Sequence, residues 1–183
     1  MKATTESYKE QADICKSLFL AKTRDYGTAW RVLRLTSLTD QMYIKASRIR
    51  SIEQTGVNKV GEDITHEFMA LVNYGIMALI QLELGEGGEE ALPVEDVERL
   101  YDRYLTETYD LMLLKNHDYG EAWRGMRISS ITDLILMKLL RIRSIEDNEG
   151  ITEVSEGLDA NYMDIINYAL FALIRLDEIR MNN

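Results

Sequence analysis

The sequence predicts an all-α fold in which two tandem three-helix repeats pack as a pseudo-twofold helical bundle. Three observations support this prediction. The chain is similar to itself over most of its length, its only proline lies between the similar halves, and its apolar residues follow helical spacing. With 183 residues, of which 46% are hydrophobic, the chain has enough apolar surface to form a core.

The internal repeat is evident when the chain is aligned with itself. Residues 22–53, shifted by 93 positions onto 115–146, give 18 identities in 32 positions, and residues 73–82, shifted by 94 onto 167–176, give six in ten. The join at 84–93 contains three glycines, three acids and Pro93. We therefore predict a first helical repeat over residues 1–88 and a second over 89–183.

Each repeat is predicted to contain three helices. The first ends in Asp-Tyr-Gly, where Gly27 or Gly120 is suited to a left-handed C-terminal cap. The second opens with Ser, Thr and Asp, which can accept hydrogen bonds from first-turn amides. The predicted ranges are 5–24, 37–54 and 62–84 in the first repeat, and 94–116, 130–147 and 155–181 in the second.

The third helices are expected to be central. Residues 68–82 are apolar nearly all the way round, which is typical of a buried helix, and the run is too short for a membrane span. One repeat is too small to cover such a helix, so the repeats should pack on each other like an ancestral homodimer joined by a linker. We also expect no membrane association, and further homo-oligomerisation stays open.

Charge and cysteine content limit the class of protein. The chain has 31 acidic and 21 basic side chains and a formal net charge of -10, which disfavours general nucleic-acid binding but allows a small anionic ligand. The single cysteine, Cys15, has no internal partner for a disulfide. Because the N-terminal residues also lack the pattern of a signal peptide, we expect a cytoplasmic protein.

One motif, Lys-x-x-Asp-Tyr-Gly-x-Ala-Trp-Arg, occurs in both repeats. Its aromatic rings offer a stacking face for a base and its cations a contact for phosphate, so it is a candidate nucleotide site. The alternative is that the acid and glycine end the helix while the aromatic side chains fill the core. The candidate residues are Lys22, Asp25, Tyr26 and Trp30, and in the second repeat Lys115, Asp118, Tyr119 and Trp123.

The second helix of each repeat carries two further cations. Lys45 and Lys138 lie on an apolar stripe, and Arg48 and Arg141 follow one turn later. They are suited to clamping a phosphate or to pairing with carboxylates of the third helix. The alternative is that their stems lie on the core while the charged ends reach water.

The third helix carries polar residues on one arc. In the second repeat these are Glu156, Asp159, Asp164 and Asn167, and three oxygen ligands of this kind suit magnesium beside a phosphate. The first repeat keeps Glu62 and Asn73 but has Thr65 and Ala70 in place of the two aspartates. The alternative is that the acids favour the helix dipole and the buried asparagines set packing register.

These motifs together resemble the nucleotide-modification-associated domain family, formerly a domain of unknown function, in two copies. The resemblance implies a connection with nucleotides but no defined reaction. Carried over position by position, it points to Lys22, Asp25, Tyr26, Gly27, Lys45, Arg48, Glu62, Asn73 and Tyr74, and to Lys115, Asp118, Tyr119, Gly120, Lys138, Arg141, Glu156, Asp164, Asn167 and Tyr168.

A more distant similarity is to the all-α nucleoside triphosphate pyrophosphatases of the MazG-like kind, which hold magnesium with spaced acids. It implies a magnesium-dependent nucleotide pyrophosphohydrolase as one expected function. In that case the second repeat, with Glu156, Asp159 and Asp164, would be the better metal site. The alternative function is a non-catalytic module that binds a nucleotide or another protein.

Overall fold

The computed structural model describes residues 3–57, 63–85, 88 and 91–182. This part of the chain contains six α-helices, two short 3-10 turns and no strand, so the all-α prediction is confirmed. The helices are α1 (Thr4–Tyr26), α2 (Leu35–Thr55), α3 (Ile64–Leu84), α4 (Val94–Tyr119), α5 (Ile128–Asp147) and α6 (Leu158–Met181). The 3-10 turns, Ala29–Val32 and Ala122–Gly125, follow α1 and α4 and contain the motif tryptophans.

The first helix of each repeat ends at its glycine, but the predicted left-handed cap is present at Gly120 and not at Gly27. Gly120 has φ +59° and ψ +41°, the left-handed conformation. Gly27 has φ +66° and ψ -147°, a region open to glycine almost alone. The predicted side-chain caps of the second helices are wrong, because α2 and α5 begin two residues earlier, after Arg34 and Arg127, without a side-chain cap.

The core of the bundle is formed by α3 and α6, which pack on each other. On one side of this pair α2 packs on α3, α5 packs on α6, and α2 and α5 contact each other. The first helices, α1 and α4, each contact both α3 and α6 as well as one another. The axes of α3 and α6 are close at Gly75, where an added Cβ would stand 2.6 Å from Cγ1 of Ile166.

The apolar character of α3 agrees with its central position in the bundle. Among the described helices, α3 alone is long and apolar enough to cross a membrane by length and composition. The core helix of a water-soluble bundle passes the same test, and 67% of the most apolar window of α3 is buried against the other helices.

Two buried asparagines connect the repeats in a reciprocal way. The Tyr8 hydroxyl donates to Asn167 Oδ1, and the Tyr101 hydroxyl donates to Asn73 Oδ1, both at 2.8 Å. Each asparagine also donates to a backbone carbonyl in the first helix of its own repeat, Asn73 to Cys15 and Asn167 to Thr108. Because the two sets of contacts are equivalent, they mark a pseudo-twofold relation between the repeats.

The second helices are joined by equivalent pairs as well. Thr39 donates to Glu146 at 2.7 Å and its counterpart Thr132 donates to Glu53 at 2.9 Å. An ion pair accompanies each hydrogen bond, Asp40 with Arg143 at 2.7 Å and Asp133 with Arg50 at 3.8 Å. Much of the repeated sequence in α2 and α5 therefore forms the contact between the repeats.

Candidate functional site

The first repeat contains a cavity of about 350 Å³ bounded by the end of α1, the following 3-10 turn, α2 and α3. Seven of the residues to which the sequence pointed line it: Lys22, Tyr26, Gly27, Trp30, Lys45, Asn73 and Tyr74. Its volume is within the range of small-molecule sites in proteins. The structure therefore brings most of the first-repeat candidates to one place.

Charged groups occupy one wall of this cavity. Glu67, on the first turn of α3, is 2% exposed and forms close ion pairs with Arg48 and, at 3.4 Å, with Lys45 Nζ. Lys22 lines the same cavity but forms no ion pair with any residue that the structure describes. Glu67 thus pairs with two cations but balances only one of their charges, and Lys22 has no anionic partner in the described part of the chain.

Aromatic and apolar side chains form the rest of the wall. Trp30 is 8% exposed, lies with its ring centroid 6.3 Å from that of Phe19, and is accompanied by Tyr74 and Met77. Tyr26 is 60% exposed and stands at the mouth of the cavity. The cavity combines flat apolar surfaces with a cationic end, which suits a ligand that has an aromatic ring and an anionic group.

Two polar atoms of lining residues are buried without a hydrogen-bond partner among the described residues. They are Oε2 of Glu67, an acceptor, and Nε1 of Trp30, a donor. Both atoms are almost completely shielded from solvent, and Oε2 of Glu67 lies 3.4 Å from Lys45 Nζ, within the ion pair described above. The indole nitrogen of Trp123 in the second repeat also lacks a hydrogen-bond partner among the described residues, so this feature does not distinguish Trp30 from its counterpart.

The second repeat uses the equivalent positions differently. There Asp164, 4% exposed, binds Lys138 Nζ at 2.7 Å and also forms a close ion pair with Lys115. Burial, together with the nearby Asp164 carboxylate, raises the pKa of Tyr168 above its ordinary value. The two lysines that correspond to Lys45 and Lys22 are therefore both held by a carboxylate of the same chain.

The acid has changed place between the repeats by one helical turn. Glu67 corresponds to Asn161, and Ala70 corresponds to Asp164. The tryptophan environment differs as well, because Trp123 stacks on Phe171 with ring centroids 4.2 Å apart, whereas the position of Phe171 in the first repeat is Met77. The open cavity at these positions in the first repeat is thus matched by an ion triad and a stacked ring pair in the second.

The predicted metal ligands do not form a cluster in the described residues. No group of three or more Asp, Glu, His or Cys side chains there is arranged to hold a metal ion. Glu156 and Asp159 are exposed, Asp164 is neutralised by two lysines, and Glu62 lies outside the described residues. A carboxylate already bound by two ammonium groups does not fit the hard-cation ligand set expected for magnesium.

The remaining candidates lie apart from the cavity. Arg141 and Glu156 line a different cavity, of about 610 Å³, beside residues 151–155, and neither Lys138 nor Asp164 lines it. Asp25, Asp118 and Tyr119 are exposed. Asn167 is 4% exposed and bonded to Tyr8 and to the Thr108 carbonyl, so its contacts are with the bundle itself.

Glu67 is the residue that the sequence analysis did not single out. It is an acid within the first turn of an apolar helix, three residues before the position of Ala70. A buried charge requires an opposite charge nearby, and Lys45 and Arg48, one turn apart on α2, were available. This pairing across two helices was the signal that could have identified it.

Comparison with known proteins gives one positive result. The model of the family described as nucleotide modification associated domain 1 matches the chain twice, over residues 22–82 and 115–176. There is one match in each structural repeat, beginning near the end of the first helix, and the match in the first repeat includes most of the residues that line the cavity. No curated protein and no solved structure matches the chain.

Proposed function

Because the chain belongs to the nucleotide modification associated domain 1 family, in two tandem copies, we propose that it binds a small nucleotide in the cavity of the first repeat. The observation that carries this proposal is the composition of the cavity wall. It joins an aromatic surface at Trp30 to two lysines: Lys45, which pairs with Glu67, and Lys22, which has no anionic partner among the residues that the structure describes.

Each part of a nucleotide has a complementary group in the wall. The base would lie against the Trp30 and Tyr74 rings, since stacking on an aromatic side chain stabilises a bound base by about 1–3 kcal/mol. The phosphate would be bound by Lys22 with Lys45. Oε2 of Glu67, which lies 3.4 Å from Lys45 Nζ, would hold that ammonium group in place, because a carboxylate accepts hydrogen bonds and cannot donate them.

Pyrophosphate hydrolysis with magnesium has less support than binding. The acids expected to hold the metal do not converge in the described part of the chain, and the one buried acid of the second repeat is paired with lysines. The cavity residues include His66 and Glu67, but no observation connects them with a nucleophile. Binding is therefore the function that the described geometry supports.

Isothermal titration of the whole protein with ribo- and deoxynucleoside mono-, di- and triphosphates tests the proposal. We expect saturable binding of at least one nucleotide. Lys22→Met should weaken it by about tenfold or more, because a charge-assisted hydrogen bond to phosphate contributes about 1.5–3 kcal/mol. Arg99→Met on α4 removes the same charge at a side chain that is 77% exposed, and it should leave affinity unchanged.

Two results would contradict the proposal. One is the absence of heat and of any shift in melting temperature with every nucleotide of the panel. The other is an equal loss of affinity in Lys22→Met and Arg99→Met, which would show that binding responds to net charge and not to this cavity.

A further inference from the structure

The two repeats place a carboxylate at different positions on the same framework, and this difference indicates where an anionic group of the ligand binds. In the second repeat Asp164 lies between Lys138 and Lys115. In the first repeat the equivalent lysines, Lys45 and Lys22, both line the cavity, but the equivalent of Asp164 is Ala70, which has no charge. The first repeat therefore has both lysines of this arrangement without an acid at the position of Asp164, since Glu67, which pairs with Lys45, lies one turn earlier.

We infer that the phosphate of the ligand occupies, over Ala70 and between Lys22 and Lys45, the place that the Asp164 carboxylate occupies in the second repeat. Asp164 is then a built-in substitute for the ligand's anion, and one nucleotide binds per chain. This inference rests on the proposed function for the identity of the ligand. It goes further by naming the phosphate subsite and the residue that decides which repeat is open.

The charge balance supports this position for the anion. Glu67 lies one turn before Ala70 and is engaged with Arg48 and Lys45, so it leaves Lys22 without a partner among the described residues. In the second repeat the uncharged Asn161 stands in place of Glu67, and its side chain donates to the backbone carbonyl of Gly157. The acid that is missing beside Lys22 is the one present beside Lys115.

The neighbouring side chains agree with an open and a closed site. Ala70 is half-buried on the cavity wall, so the volume that an aspartate side chain would fill there is open. The second repeat fills the corresponding region with the Asp164 side chain and with the Phe171 ring stacked on Trp123. A phosphate has more than one negative charge near neutral pH, so it can accept hydrogen bonds from both lysines at once.

A swap of the acid that preserves net charge tests the inference. In the whole protein, Glu67→Asn with Ala70→Asp gives the first repeat the acid arrangement of the second. Binding of inorganic phosphate, followed by ³¹P line broadening, should fall at least tenfold relative to the unchanged protein. Ala70→Ser, which is uncharged and small enough to leave most of that volume open, should keep phosphate binding within about twofold.

The reverse change should open the second repeat. Asn161→Glu with Asp164→Ala should raise the number of bound phosphates from one to two per chain. Asp164→Ala alone leaves the buried Lys138 without its partner, so the variant should melt at a lower temperature and be stabilised by phosphate more than the unchanged protein is. This thermal measurement is informative even if the double variant folds poorly.

The inference is overturned if the swapped first repeat binds phosphate as well as the Ala70→Ser protein does, or if the unchanged protein binds no phosphate. Phosphate binding without any preference for a nucleotide would count against the proposed function but would leave the phosphate subsite in place. Nucleotide binding that does not change with the charge at position 70 would support the proposed function but would count against the phosphate subsite.

Discussion

Single buried side chains show why sequence position alone does not separate structural from functional residues. Asn73 and Asn167 were both candidates for ligand contact, and both are held by a tyrosine of the other repeat and a carbonyl of their own. Asn73 also lines the cavity, whereas Asn167 contacts only the bundle. The sequence identified them as buried and polar, but their partners are 28 to 159 positions away along the chain and could not be read from spacing.

The tyrosine contacts give a prediction about stability. Tyr101→Phe should lower the free energy of unfolding by about 1–2 kcal/mol, because Asn73 Oδ1 would keep its burial and lose its donor. Urea unfolding followed by circular dichroism measures the change. Tyr26→Phe, at a side chain that is 60% exposed, is the matched control and should change stability by less than about 0.5 kcal/mol. Equal effects of the two variants would contradict the structural role of Tyr101.

Cys15 gives a prediction about reactivity. Its side chain is fully buried, and burial raises the pKa of the thiol to about 12. Since the thiolate is the reactive form, the folded protein should not react with iodoacetamide at about pH 8, whereas the protein in urea should be alkylated readily. Mass spectrometry of the quenched reaction gives the alkylated fraction. Comparable rates in the two states would show that the thiol is accessible.

At the scale of the elements, the repeated sequence divides into two roles. The identities near the ends of α2 and α5 form the reciprocal contacts between the repeats, whereas the Asp-Tyr-Gly segment ends α1 and α4 and places the following tryptophan. Helix number, order and approximate length followed from periodicity and breakers. The second-helix caps were predicted wrongly, because both helices begin two residues before the predicted start; Thr39 and Thr132 lie inside the helices and donate to carboxylates on the opposite helix.

The carboxylates at the contact between α2 and α5 predict a pH dependence. The pKa values of Glu53 and Glu146 are raised, chiefly by burial. The folded state therefore holds these protons more tightly than the unfolded chain does. The stabilising contribution is fully present below the ordinary glutamate pKa and is lost as the pH rises through the raised folded pKa.

A double variant isolates this contribution. Glu53→Gln with Glu146→Gln keeps acceptor oxygens for Thr39 and Thr132 but cannot titrate. Between about pH 4 and 6, where glutamate carboxyls titrate, its free energy of unfolding should fall less with rising pH than that of the unchanged protein. Urea unfolding at a series of pH values measures both curves. Parallel curves would show that these two groups do not titrate differently on folding.

At the scale of the whole molecule, the duplication was predictable and the structural difference between the repeats was not. Self-alignment predicted two three-helix repeats in a pseudo-twofold bundle, and the fold confirms this arrangement. The sequence favoured the second repeat because it holds more acids. In the second repeat Asp164 forms ion pairs with Lys115 and Lys138, whereas the structure has an open cavity at the equivalent positions of the first repeat. That outcome depends on which lysines an acid can reach across helices.

The fluorescence of the two tryptophans, recorded one at a time, tests the central claim that the first repeat holds the ligand. The chain contains only Trp30 and Trp123, so Trp123→Phe and Trp30→Phe each leave a single reporter. Titrated with nucleoside 5′-monophosphates, the Trp123→Phe protein should show a saturable change in emission, because Trp30 lines the cavity. The Trp30→Phe protein should show none. A response from Trp123 alone, or from neither tryptophan, would contradict the account.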